Sequence, residues 1–190
     1  MLYTGAMEAG QMHGKGALVY PNNEKYEGDF EHGKRHGFGI YNYADGGRFE
    51  GEWVDDRVHG RGVSHYTSGN RYEGFWVDGK INGTGKLYYA DGDTYQGEWK
   101  DGKMHGTGTY VYADGDRYEG DWRDDRRHGK GTVIYAALDP SQEPERYEGD
   151  WSEGKMHGKG TYTYGDGSVY AGGWIDGKMH GNGIYTFANG

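Results

Sequence analysis

Seven histidines occupy one place in a repeating pattern: His13, His36, His59, His105, His128, His157 and His180, with Asn82 standing in for an eighth. Imidazoles in register invite a metal reading. Zinc needs donor atoms about 2.0–2.1 Å away, whereas successive members of a column repeating every two strands lie roughly 9.5 Å apart. The expected role is a hydrogen bond at a turn, which leaves a metal bridging two chains as the only metallic alternative. A second column carries charge: Lys34, Arg57, Lys80, Lys103, Arg126, Lys155 and Lys178, most with an acid two residues earlier, such as Asp78 or Asp101. The plain reading is a solvated edge that neutralises itself. The sharper one is a lipid-headgroup edge made by Lys80, Lys103, Arg126, Lys155 and Lys178. The chain has no Cys, so thiol nucleophiles, thiolate metal sites and disulfides are excluded. No glycine loop opens a helix, and no Ser–His–Asp order would be gathered into one pocket. The carboxylates recur with the pattern, so choosing two as acid and base would be arbitrary. The expectation is no enzyme activity, no cofactor and no resident metal.

These columns follow from a period. An aromatic-x-Gly triplet begins at Tyr3, Tyr26, Phe49, Tyr72, Tyr95, Tyr118, Tyr147 and Tyr170; six intervals are 23 residues and one is 29. A fixed period of this size marks a repeat array, which presents an extended surface. In the unit from Tyr95 to Arg117, Tyr95, Gly97 and Trp99 alternate with Gln96 and Glu98, the sign of a half-buried strand. Asp101-Gly102 is a turn signal. A second alternating run carries Gly106, Gly108, Tyr110 and Tyr112, and Ala113-Asp114-Gly115-Asp116 makes the next turn. Each repeat reads as a β-hairpin. The fold expected is all-β: one domain over 1–190, an elongated, twisted antiparallel β-meander of eight stacked 23-residue hairpins.

Simple pairing sets Trp99 opposite Gly106, Gly97 opposite Gly108 and Tyr95 opposite Tyr110. Across the next turn it sets Tyr112 opposite Tyr118, Tyr110 opposite Gly120 and Gly108 opposite Trp122. Large rings then lie over glycine backbone and form one aromatic groove. On the polar face, Glu52 meets Arg61, Asp121 meets Lys130 and Asp150 meets Lys159, exposed pairs worth about 0–1 kcal/mol each.

Composition agrees with a thin structure. Only 33% of the 190 residues are hydrophobic, yet 16% are aromatic, including nineteen Tyr and six Trp; mean hydropathy is -1.07. The net charge of -9 argues against nucleic acid, whose phosphates need clustered Lys and Arg. No apolar run suits a membrane span or a secretory signal. With no Cys, the easier home is cytoplasmic.

The unit YxGxWxxGxxHGxGxYxYxxGxx resembles the MORN repeat (membrane occupation and recognition nexus), as in Tyr118-Glu-Gly-Asp-Trp122 with His128-Gly-Lys-Gly131, and Tyr147-Glu-Gly-Asp-Trp151 with His157-Gly-Lys-Gly160. The resemblance spans essentially the whole chain. It implies a non-catalytic hairpin stack of the kind found in parasite cytoskeletal scaffolds, radial spoke heads, junctophilins and phosphatidylinositol phosphate kinases. It also implies antiparallel homodimers formed through C-terminal repeats.

Departures from the repeat supply the remaining candidates. The long connection from Ala136 to Arg146 reads as a surface insertion, with partner docking as the alternative. Phe38, Val54, Val63, Phe75 and Val77 fall on outward positions. Pairing Phe38 with Val54 and Val63 with Phe75 makes an apolar partner patch; local packing within the sheet is the alternative. Met7 replaces Trp in the first repeat. Neither end carries a polar cap, so the ends read either as cuts in a longer array or as assembly surfaces. Tyr170, Trp174, Tyr185 and Phe187 are the expected dimer contact. The expected function is a self-associating scaffold that organises a cytoskeletal or membrane-associated assembly, located on the cytoskeleton or at a membrane periphery. The alternatives are an adaptor for phosphoinositides or other phospholipids, and an axonemal radial-spoke component.

Overall fold

Asp-Gly pairs start the architecture. Asp78-Gly79 and Asp101-Gly102 both hold positive φ, 49° with 81° and 50° with 84°. That is the two-residue turn whose twist matches a hairpin. In the computed structural model, which describes residues 1–137 and 143–189, such turns join short strands into hairpins. The described residues hold sixteen strands and no helix.

The chain divides into two compact units, Met1–Ala90 and Asp91–Gly190. The first holds β1 (Leu2–Glu8), β2 (Gln11–Val19), β3 (Lys25–Glu31), β4 (Lys34–Asn42), β5 (Arg48–Val54), β6 (Arg57–His65), β7 (Arg71–Val77) and β8 (Lys80–Tyr88). The second holds β9 (Thr94–Lys100), β10 (Lys103–Val111), β11 (Arg117–Arg123), β12 (Arg126–Ile134), β13 (Arg146–Ser152), β14 (Lys155–Thr163), β15 (Val169–Ile175) and β16 (Lys178–Thr186). Within each unit every strand pairs antiparallel with its chain neighbours. The centre of the long connection, 138–142, lies outside the described residues.

The open half of each hairpin has the expected register, with Gly97 opposite Gly108 and Tyr95 opposite Tyr110. The turn half does not. Trp99 faces Met104, not Gly106, because a bulge between His105 and Gly108 adds two residues to the longer strand. Every expected pair between hairpins is corrected by the same two residues. Tyr110 faces Tyr118, Gly108 faces Gly120 and Gly106 faces Trp122, while Tyr112 lies in the turn, its N–H donating to Asp116 O.

The glycines therefore pair with one another. A column runs Gly97, Gly108, Gly120, Gly131, Gly149, Gly160, Gly172, Gly183 through the second unit. The phenol of each repeat's first Tyr covers it: a Cβ at Gly108 would stand 2.3 Å from the Tyr95 hydroxyl. That hydroxyl donates to Glu98 O at 3.0 Å, and Tyr118 and Tyr147 donate likewise to Asp121 O and Asp150 O. The phenols of Tyr95, Tyr118 and Tyr147 also each meet two indoles edge-on. Tyr118 lies 5.1 Å from Trp122 and 5.2 Å from Trp151, and Tyr147 lies 5.3 Å from Trp151 and 5.1 Å from Trp174. Such contacts contribute about 0.5–1.5 kcal/mol each beyond burial. Tyr26, Tyr72, Tyr95, Tyr118 and Tyr147 have no exposed surface. The first ring of each of these repeats is thus sealed under its neighbours, while Tyr43, Tyr66 and Tyr185 stay exposed.

Candidate functional site

The outward face begins with the bulge. Gly129 takes φ 60° there, leaving the Lys130 N–H outside the hairpin ladder. The Asp121 carboxylate accepts it at 2.8 Å. Asp29, Glu52, Glu98 and Asp150 do the same for Phe38, Arg61, Thr107 and Lys159. The acids expected to meet basic side chains within a hairpin, Glu52, Asp121 and Asp150, therefore serve its backbone. The ammonium groups reach the next hairpin instead: Lys15 pairs with Asp29 at 2.7 Å and Lys130 with Asp150 at 2.5 Å. Hydrogen bonds from Lys130 and the Lys159 N–H hold the Asp150 carboxyl below its usual range, because both favour its charged form.

In the second unit this face forms a trough of about 1890 Å³. Its floor is the bare backbone of the glycine column. One wall carries Glu119, Thr132, Glu148, Thr161 and Ala171, and Lys130 and Lys159 stand on the other. Arg117 and Arg146 are tied to Glu119 and Glu148 at 2.6 and 2.5 Å.

The histidine column lies beside the bulges. His128 pairs in the ladder with Asp121, and His157 with Asp150. The Nε2 atoms of His13 and His36 sit 3.2 and 3.3 Å from Glu8 and Glu31, and His59 Nδ1 accepts the Asp78 N–H at 3.5 Å. Among the described residues no group of three or more His, Asp or Glu could hold a metal ion. In the basic column, Lys34 reaches Asp55 at 3.4 Å, Arg57 reaches Asp78 at 3.7 Å, Arg126 reaches Glu153 at 2.5 Å and Lys155 reaches Asp176 at 4.0 Å. Each partner is the turn acid of the following repeat, rather than the acid two residues earlier. Lys80, Lys103 and Lys178 occupy the same place at the starts of β8, β10 and β16.

The expected apolar pairs do not form. Phe38 faces Glu52, Val63 faces Glu73 and Phe75 faces Arg61, whose guanidinium lies 4.8 Å from the ring centre. Phe38, Val54 and Val77 are exposed, while Val63 and Phe75 are half-buried. Charged side chains thus interrupt the patch. Of the four expected dimer residues, Tyr170 and Trp174 are buried, at 7% and 5% exposure, and Tyr185 and Phe187 are open. All nine residues of β16 are exposed, Ile184 to 72%.

A model of the MORN repeat family matches the chain at 3–25, 26–48, 49–71, 72–94, 95–117, 118–137, 147–169 and 170–190. The chain belongs to the MORN repeat family. The matches begin at the eight aromatic-x-Gly triplets, and MORN repeats point to a repeat-based interaction or scaffold role in a family that is generally non-enzymatic. No curated protein sequence matches the array.

Solved structures match the chain at low identity. The SAS-4 (dCPAP) TCP domain of Drosophila melanogaster, in complex with a proline-rich motif of Ana2, is 12% identical over 83% of both chains, with a TM-score of 0.50. The TCP10c domain of Drosophila melanogaster Sas-4 is 12% identical over 93% of the MORN array and 88% of its own chain, at 0.38. The G-box domain of the microcephaly protein CPAP is 14% identical over 92% and 99%, at 0.36. At 12% identity the first likeness is one of fold alone.

The bulge-holding role of Glu52, Asp121 and Asp150 and the trough escaped sequence reasoning. One signal was present. The two strands of a hairpin differ in length, seven residues in β11 and nine in β12, an excess that a bulge must absorb.

Proposed function

We propose that this MORN array is a non-catalytic scaffold that docks protein partners and self-associates through its C-terminal hairpin to organise a cytoskeletal or membrane-associated assembly. The observation that carries the reading is β16. Its strand is exposed along its whole length, and on the ring face Met179, Tyr185 and Phe187 are exposed, with Phe187 against Tyr185. An edge of this kind is a template for pairing with another chain. The Sas-4 domain, a related sheet, takes a proline-rich segment of another protein, which supports protein partners for this array as well. A cytoplasmic place on the cytoskeleton belongs to the same proposal. The phospholipid alternative has less support, because four members of the basic column are ion-paired.

Light scattering on the purified chain tests it. The parent should run as a dimer, and Tyr185→Asp combined with Phe187→Asp should run as a monomer with an unchanged β-sheet circular dichroism spectrum. A monomeric parent at micromolar concentration, or a dimer that survives both substitutions, would sink the self-association. Trp174 is unsuitable as a target: it is buried, its indole N–H donates to Gly160 O, and a charge there would unfold the hairpin.

A further inference from the structure

The trough changes character at its C-terminal end. In the sixth and seventh repeats the walls carry Glu119 and Glu148, with Asp121 and Asp150 at the bulge. In the eighth, Ala171 and Gly173 stand in those two places. Lys130 meets Asp150 across its ladder and pairs with it. Lys159 occupies the equivalent place but meets Gly173, which has no side chain. Lys159 is exposed and carries no ion pair among the described residues. The Asp150 carboxylate holds its backbone N–H but is already paired with the Lys130 ammonium, and toward the eighth repeat the trough offers only Ala171, His180 and Asn182. Ile134 and Ile184, both exposed, line the same trough. The result is one ammonium with no carboxylate partner of its own over a floor of glycine backbone, with apolar side chains farther along the trough.

We infer that this trough is a docking site for an extended, acidic peptide segment of a protein partner, with a Glu or Asp carboxylate of that segment on Lys159. The inference rests on the protein-docking half of the proposed function. Charge complementarity fixes the occupant: the cation lacks the carboxylate that Lys130 has, because the chain replaces that acid with glycine. Shape fixes its form. Five strand spacings from β11 to β16 span roughly 24 Å, the length of about seven or eight residues of polyproline II backbone at about 3.1 Å each. The bare floor admits main chain, and Ile184, on the last strand of the trough, would take an apolar side chain of the same segment.

The experiment is panning of a random peptide display library of about that length on the immobilised full chain, followed by fluorescence anisotropy with the selected peptide. The selected sequences should share an acidic residue with apolar neighbours. Exchanging that acid for Gln or Asn in the peptide, and Lys159→Gln in the protein, should each weaken binding about tenfold, and the two losses should not add. Ala171→Glu, which restores an acid that the sister repeats carry in this sheet position, should weaken binding similarly. Lys130→Gln should leave it within about twofold, since that ammonium is already matched. Failure to select an acidic consensus, or binding indifferent to Lys159→Gln, overturns the inference. So does binding of phosphatidylserine vesicles, lost with Lys159→Gln, in the absence of peptide binding. The dimer is scored separately by light scattering on Lys159→Gln, which leaves β16 untouched, so failure of the trough and failure of self-association are read on different instruments.

Discussion

Gly131 shows how tightly one residue can be specified. A Cβ there would stand 2.3 Å from the Tyr118 hydroxyl, and that hydroxyl is held by Asp121 O. Gly131→Ala should cost about 1–3 kcal/mol, the usual penalty of overpacking, seen as a lower urea midpoint. Gly129 is bound by a different constraint, since its φ of 60° is left-handed and a Cβ would meet Asp121 Oδ2 at 2.4 Å. Buried phenols make a second residue-scale prediction. Burial raises Tyr26, Tyr72 and Tyr118 well above their ordinary value of 10.0 and pushes Tyr147 up to about 12. The folded chain therefore keeps protons that the unfolded chain releases. That stability is intact below pH 10 and is lost as pH rises through the folded values. Ionisation of these four phenols, followed by their ring NMR signals, and loss of sheet circular dichroism should come together above pH 10. Ionisation of these four with the sheet intact would refute the coupling.

At the level of the hairpin, the bulge and its acid form one device. Asp121→Ala leaves the Lys130 N–H to water and should cost about 0.5–1.5 kcal/mol, measured by thermal unfolding. The same bonds predict acid behaviour. Asp150 and Glu98 sit below their ordinary 3.8 and 4.5, Asp150 chiefly through Lys130 and Glu98 chiefly through the Thr107 N–H. Their contribution is present above those ordinary values and disappears as pH falls through the lowered folded ones. Melting temperatures should therefore begin to drop below about pH 4.5, and less steeply in a Glu98→Gln variant. Strands, turns and the Gly97–Gly108 pairing were legible because alternation and Asp-Gly are local signals. The bulge was not, because His105-Gly106-Thr107-Gly108 reads as unbroken alternation while its backbone departs from a strand at Gly106, φ 57°. That concealed shift displaced the polar pairs and dissolved the apolar patch around Phe38, Val63 and Phe75. It also hid the trough, since only the true register puts Lys159 opposite Gly173.

Across the whole molecule, stability should vary along the chain. In a repeat array each unit is supported mainly by its neighbours, so a strand with one neighbour and nine exposed residues, β16, should open most readily. Amide hydrogen exchange should be fast across Lys178–Thr186 and slow across Arg126–Ile134, where β12 pairs on both sides. Uniform protection would contradict a graded array. The interleaved rings have one more consequence. Trp122, Tyr118, Trp151, Tyr147 and Trp174 follow one another with centroids 5.1–5.3 Å apart and planes 79–90° apart. Chromophores fixed at that distance and angle couple their electronic transitions, so the array should show intense near-ultraviolet ellipticity for its size. Each hairpin that melts breaks that coupling, which gives the protein a built-in optical gauge of how many repeats stand in register.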